Sequence, residues 1–425
     1  MKQVEKLDYI DGLKVLSCLM IFNFHFINAF YCGFYSLNPA DFHTEHLEWI
    51  IGSTPLNLIM GGKFGVRMFM TISGFFVGYR FFLTGDKHSL GSGAVKKYFR
   101  LVFPILTANI AIFALMKLGL FRNAEASALA GTSVFFGNYN QFAPSLFGAV
   151  KEAVWGCFAT GANQYNGPLW FIYYEFFGTL LVAAILSLVG KSKVRYVAYA
   201  IAAILSIRTD FLPFILGCVV CDLTYQPPLF VEKLSEQKWL MWIAVLLGVF
   251  LGSYPPIGER LTGTIYQYIP AKVLIYYIIG ASLVLYGVIH LPKLHKPLGS
   301  RALTWLNRYS YGFYLVHFFV LCTFSCGFYL TLADRLPYHL IAVLNYVYDE
   351  PSGTDDTGFQ LLGRYVFCAD LLFAVRLYIS YKRRNIWEIF KAEGKTPSAS
   401  LYNCQCNSVC VFLCQREFAW QHKCS

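Results

Sequence analysis

Charge is what this sequence has least of. Only 14% of its 425 residues are Asp, Glu, Lys or Arg, little more than half of the roughly 25% carried by soluble globular domains. With 18% aromatic residues, the shortage of charge excludes a disordered chain, which needs the reverse composition. Fixed-period repeats are absent, so a solenoid gets no support. No Asn-x-Ser/Thr acceptor occurs anywhere in the chain, which leans away from a secretory-pathway glycoprotein. The first apolar run is long, is interrupted by a histidine and lacks a small-residue cleavage site, so it does not read as a cleavable signal peptide. Paired Cys-x-x-Cys motifs are missing too. Of thirteen cysteines, five crowd at Cys404, Cys406, Cys410, Cys414 and Cys424, a spacing that fits no zinc site and predicts no bound metal.

What the sequence has in abundance is apolar surface: 56% of residues are hydrophobic and the mean hydropathy is +0.49. Runs near spanning length, about 17–25 residues, lie at Leu13–Phe34, Phe64–Leu83, Phe99–Leu120, Leu169–Gly190, Val194–Ile207, Phe211–Leu223, Trp239–Tyr254, Ala271–Leu291, Tyr309–Leu332 and Leu361–Tyr381. They predict an all-α, polytopic membrane bundle of about ten transmembrane helices. A shorter run, Tyr338–Tyr348, reads as an interfacial helix. Lys and Arg collect in alternate connections, such as Lys87, Lys96, Lys97 and Arg100, then Lys191, Lys193 and Arg195, while Asp41, Glu45 and Glu48 mark an intervening loop. This positive-inside bias predicts cytoplasmic N- and C-termini. The membrane domain is expected over residues 1–385, with an inserted acidic outer loop at about 333–360. Residues 386–425 are expected to form a poorly ordered, reduced cytoplasmic tail. The formal charge of +11 is spread over these inner connections, so it records orientation and implies no nucleic-acid partner.

Ionisable residues at membrane depth are costly and mark candidate sites. His25 lies eleven residues beyond Lys14, roughly 16 Å along a helix and close to the midplane of a ~30 Å hydrocarbon layer. Glu175 falls about 9 Å below the outer edge, and His317 about 12 Å from the inner face. The three share one slab, and Glu175 is expected within hydrogen-bond reach of His25 where their helices are neighbours. Lys96, Lys97 and Arg100 can converge on one polyphosphate from one helix face or simply anchor the helix at the headgroups. Tyr165, Asn166, Trp170 and Tyr174 join amides to aromatics at an outer mouth. Such a surface suits a sugar or polyol, or equally an interfacial aromatic belt.

Six stretches in register resemble the membrane-bound acyltransferase-three family, the O-antigen acetylase type. They are Tyr9-Ile10-Asp11-Gly12-Leu13-Lys14, Lys14 with His25, Gly65-Val66 through Ile72-Ser73-Gly74-Phe75, Lys96-Lys97-Tyr98-Phe99-Arg100, Trp170 with Glu175, and Ser310-Tyr311-Gly312-Phe313-Tyr314-Leu315-Val316-His317. Arg67 stands where the family often has Asp. The resemblance implies transfer of an acyl group, most often acetyl, from cytoplasmic acyl-CoA to a hydroxyl of a glycan, glycolipid or other extracytoplasmic acceptor. No permanently bound cofactor is implied, and the cell (plasma or inner) membrane is the expected location. On this reading His25, Glu175 and His317 are catalytic candidates, with Glu175 orienting His25. Lys14, Lys96, Lys97 and Arg100 are the acyl-CoA candidates, and Tyr165, Asn166, Trp170 and Tyr174 the acceptor-binding ones. A proton-relaying transporter is the rival reading. It calls for inverted repeats or Gly/Pro-broken helices in matching halves, and the sequence has neither.

Overall fold

The computed structural model describes residues 5–44, 47–132, 134–256 and 261–333, and they are helical with no strand among them. Long apolar helices form where the apolar runs lie. They are α1 (Asp8–Phe30), α2 (Gly62–Thr84), α3 (His88–Lys117), α4 (Trp170–Val189), α5 (Arg195–Ser206), α6 (Leu212–Tyr225), α7 (Lys238–Gly252), α8 (Val273–His290) and α9 (Ser310–Leu332).

Six of these are long and apolar enough to cross a membrane: α1, α2, the Lys96–Lys117 part of α3, α4 with the turn before it, α8 and α9. The other three apolar runs are short helices of 12, 14 and 15 residues, about 18–22 Å long against a ~30 Å layer. One of them, α6, counts as a seventh span only together with Leu229–Glu236, to which it is bent by 86°. Pro227 and Pro228 sit at that break. Proline has no N–H and pushes the preceding residue out of helical geometry. The expected count of ten therefore becomes six, or seven with the bent pair, among the described residues. Leu361–Tyr381, Tyr338–Tyr348, the acidic insertion and the Cys-rich tail lie outside them.

α2 is the hub, with α1, α4, α6 and α8 packed around it. Its closest neighbour is α6. A Cβ built on Gly74 would lie 2.0 Å from the Phe214 carbonyl oxygen, and one on Gly217 would lie 1.9 Å from that of Thr71. Glycine is thus required on both sides of this crossing, as where membrane helices touch backbone to backbone. Phe75 and Phe214, both 0% exposed, fill the space around it.

Two pairings fix helix directions. Gly62 meets Phe24 and Gly65 meets Ser17 and Ile21, so α1 and α2 are antiparallel. Along α9, Ser310 lies by Cys18, Phe313 by Phe22, His317 by His25 and Tyr329 by Phe30, so α1 and α9 are parallel. This framework puts the second half of α1, the first turns of α2, α4 and α8, and the middle of α9 around one space.

Candidate functional site

That space is a cavity of about 960 Å³, within the range of small-molecule sites. It extends toward the end of the bundle away from the N-terminus of α1, where Asp41 and Lys63 stand in its wall. His25, Trp170, Phe171 and Tyr314 line it as well.

His25 makes no hydrogen bond among the described residues. Its ring lies against Phe24, His317 and Phe318, with centroids 5.3, 5.3 and 5.1 Å away. His317, in the layer behind, is 4% exposed. Its Nδ1 is 3.1 Å from the Phe313 carbonyl and 2.8 Å from that of Tyr314. Carbonyl oxygens only accept, so Nδ1 carries the proton, and in the neutral ring Nε2 keeps its lone pair. That Nε2 is buried and has no partner.

Glu175 does not bond to His25, contrary to the sequence expectation. Its Oε1 accepts from Lys97 Nζ at 2.7 Å and from Ser73 Oγ at 3.0 Å. Lys97 also donates to the Glu175 carbonyl and to Thr179 Oγ1, each at 2.9 Å. Helix direction explains the correction. Glu175 faces α2 and α3, whereas His25 faces α9. The Ser-Gly-Phe stretch of α2 is thereby accounted for: Ser73 holds Glu175, Gly74 admits α6, and Phe75 fills the core.

Of the other cationic candidates, Lys96 and Arg100 are exposed on α3. Lys14 is 3.1 Å from Asp11 and sits over the Phe76 ring at 4.6 Å. Lys97 is set apart from them by its burial against Glu175, with 12% of its side chain exposed.

Among the four acceptor-binding candidates, only Trp170 lines the cavity. Tyr165 is buried, its hydroxyl donating to the Ser145 carbonyl at 2.7 Å. Asn166 is 0% exposed and donates to the Leu315 carbonyl at 2.9 Å. Tyr174 packs on Trp170 and Phe211. The first two hold the loop that shapes the wall, together with a residue sequence reasoning passed over. Buried Glu152 accepts from the backbone N–H groups of Gln164 at 2.7 Å and Tyr165 at 3.1 Å, and from Asn109 Nδ2 at 3.2 Å. Burial raises the pKa of its carboxyl despite those bonds. The signal that could have found it is the turn around it: Glu152–Gly156 is a π-helical turn, a distortion often kept at functional places.

Arg67, the charge reversal noted in the sequence, is compensated in space. Its Nη2 is 2.7 Å from Asp210 Oδ1, and its guanidinium lies 5.8 Å from the centre of the Trp170 ring. The basic residue at this wall brings its own acid from the α5–α6 turn.

Comparison with known proteins bears on the family of the chain. Residues 7–345 match the model of a family described as an acyltransferase domain. Acyltransferase clz18 of Cochliobolus lunatus is 22% identical over 389 residues, covering 75% of this chain and 83% of that protein. No solved structure matches.

Proposed function

The chain belongs to this acyltransferase domain family, and on the premise that it is a multi-pass membrane acyltransferase we propose that it moves an acyl group, acetyl in the first instance, from acyl-CoA to an acceptor hydroxyl in the cavity. The observation that carries the proposal is the placement of His25: an imidazole without a hydrogen-bond partner, in the second half of α1 and in the wall of a cavity of substrate size.

His25 acts as general base. As the acceptor oxygen attacks the thioester carbonyl carbon, an imidazole nitrogen takes the hydroxyl proton. The C–S bond then breaks, the ester leaves, and the imidazolium returns its proton to the CoA thiolate. A base so placed contributes about 10²–10⁴-fold. The CoA phosphates are met by Lys14, Lys96 and Arg100 at the opposite, basic end, which faces the cytoplasm of the cell membrane. Lys97, locked on Glu175, serves that end as a fixed charge. The acceptor is a hydroxyl of a glycan, glycolipid or comparable extracytoplasmic molecule, stacked on Trp170.

The test uses membranes with matched amounts of wild type, His25→Ala and Glu175→Gln, supplied with labelled acetyl-CoA. Retention of acyl transfer by His25→Ala would refute the assignment. Glycan and metabolite profiling of a deletion strain, looking for one lost acetyl ester, identifies the acceptor. Solute flux without consumption of acyl-CoA would favour a transporter instead.

A further inference from the structure

A general base of the imidazole type works best when its second nitrogen is held, because that bond fixes the tautomer and steadies the cation formed in the reaction. A carboxylate usually does this, but the carboxylate that the sequence offered, Glu175, is bound to Lys97 and Ser73. Against the His25 ring stands another imidazole instead.

Three observations make His317 suited to the task. Its tautomer is set by the Phe313 and Tyr314 carbonyls on Nδ1. Its Nε2 lone pair is buried without a partner, a state that folded proteins rarely tolerate without a reason. Its ring is tilted by 44°, with its centroid 5.3 Å from that of His25. At that separation two imidazole nitrogens turned toward each other stand at hydrogen-bond distance, about 3 Å, and the terminal torsion of His25 is soft enough to turn the ring.

We infer that His317 is the positioning residue for His25, accepting a hydrogen bond from one His25 nitrogen so that the other meets the acceptor hydroxyl. This rests on the reading of His25 as base. During transfer His25 gains a proton on its cavity-side nitrogen and becomes the imidazolium. Its other N–H stays on His317 Nε2, which shares the positive charge. His317 keeps its Nδ1 proton throughout, and the gained proton leaves on the CoA thiol. The residue acts as a neutral acceptor, a role open to it because two carbonyls forbid the other tautomer.

The experiment compares His317→Phe, which keeps ring volume and loses the acceptor, with His317→Gln, whose amide oxygen can accept. The full-length protein is used in membranes and, for ¹⁵N-histidine NMR, in detergent. The expected result is a fall of about 100-fold in kcat with unchanged KM for His317→Phe, and kcat within tenfold of wild type for His317→Gln. The His25 ring should show one tautomer in wild type and a mixture in His317→Phe. A kcat for His317→Phe within threefold of wild type overturns the inference, as does an equal loss in both variants, which would mark a packing role. Activity surviving in His25→Ala refutes the reading beneath it instead, and the tautomer measurement separates the two failures because it needs no turnover.

Discussion

The Lys97–Glu175 pair and the His25–His317 pair lie in the same bundle and are built on opposite terms. The first consists of charges taken out of water and compensated on one side: Lys97 Nζ has three oxygen partners within 2.9 Å and Ser73 supports Glu175 Oε1, while Glu175 Oε2 is buried without a partner and away from the cavity. The second consists of imidazoles among aromatic rings, with one nitrogen pinned to carbonyls, a buried nitrogen unused, and His25 open to a cavity. A closely bonded buried pair ties α3 to α4, and opening it costs stability. Unused hydrogen-bonding capacity beside a cavity is what a reacting group needs.

The comparison breaks first at His25. Its replacement by alanine should cut acyl transfer about 10²–10⁴-fold while leaving thermal stability in detergent close to wild type. A large loss of folded protein would mean that the ring is mainly packing. At the other pair the balance should reverse. Glu175→Leu leaves Lys97 buried without its acid and should cost about 3–5 kcal/mol, whereas Lys97→Met combined with Glu175→Leu should regain most of it. Thermal unfolding of the three variants checks this, and equal losses for the single and double variants would count against a pair held by mutual compensation.

A smaller effect separates cavity wall from scaffold. Trp170→Ala should raise the acceptor KM severalfold with kcat nearly unchanged. Tyr165→Phe should lower stability by about 1 kcal/mol through its lost bond to Ser145 and leave KM alone. The reverse pattern in steady-state kinetics would exchange the roles of the two residues. The smallest effect belongs to Glu152. Burial raises its folded-state pKa, so its contribution is fully present below the unfolded value of about 4.3 and is lost as pH rises through the folded one. Glu152→Gln should flatten that decline in a thermal-stability series across pH, and an unchanged slope would assign it to other groups.

Much of this was legible in the chain itself. His25 and Trp170 stand out in the sequence as polar or amphipathic residues on or beside apolar runs, and both stand in the wall of the cavity. The partners were not legible. Lys97 and Glu175 are separated by 78 residues and Arg67 and Asp210 by 143, and depth arithmetic cannot tell which helices are neighbours. For the same reason Glu175 was assigned to His25: the two share a slab, and rotation about the helix axis decides the rest. The short apolar runs at Val194–Ile207, Phe211–Leu223 and Trp239–Tyr254 do form helices of nearly those bounds. Counting each as a full span gives ten, because hydropathy reports what is apolar and not whether a helix is long enough to cross.

The opening scarcity of charge thus has a divided meaning. Composition and periodicity alone determine a helical membrane protein, since a chain so apolar must satisfy its backbone within helices, and motif order alone points to acyl transfer. Tertiary structure alone decides which of the few intramembrane charges neutralise one another and which polar atoms remain unspent. Pairing depends on helix rotation and neighbourhood, set here by close contacts such as Gly74 with Phe214 and by the parallel course of α1 and α9.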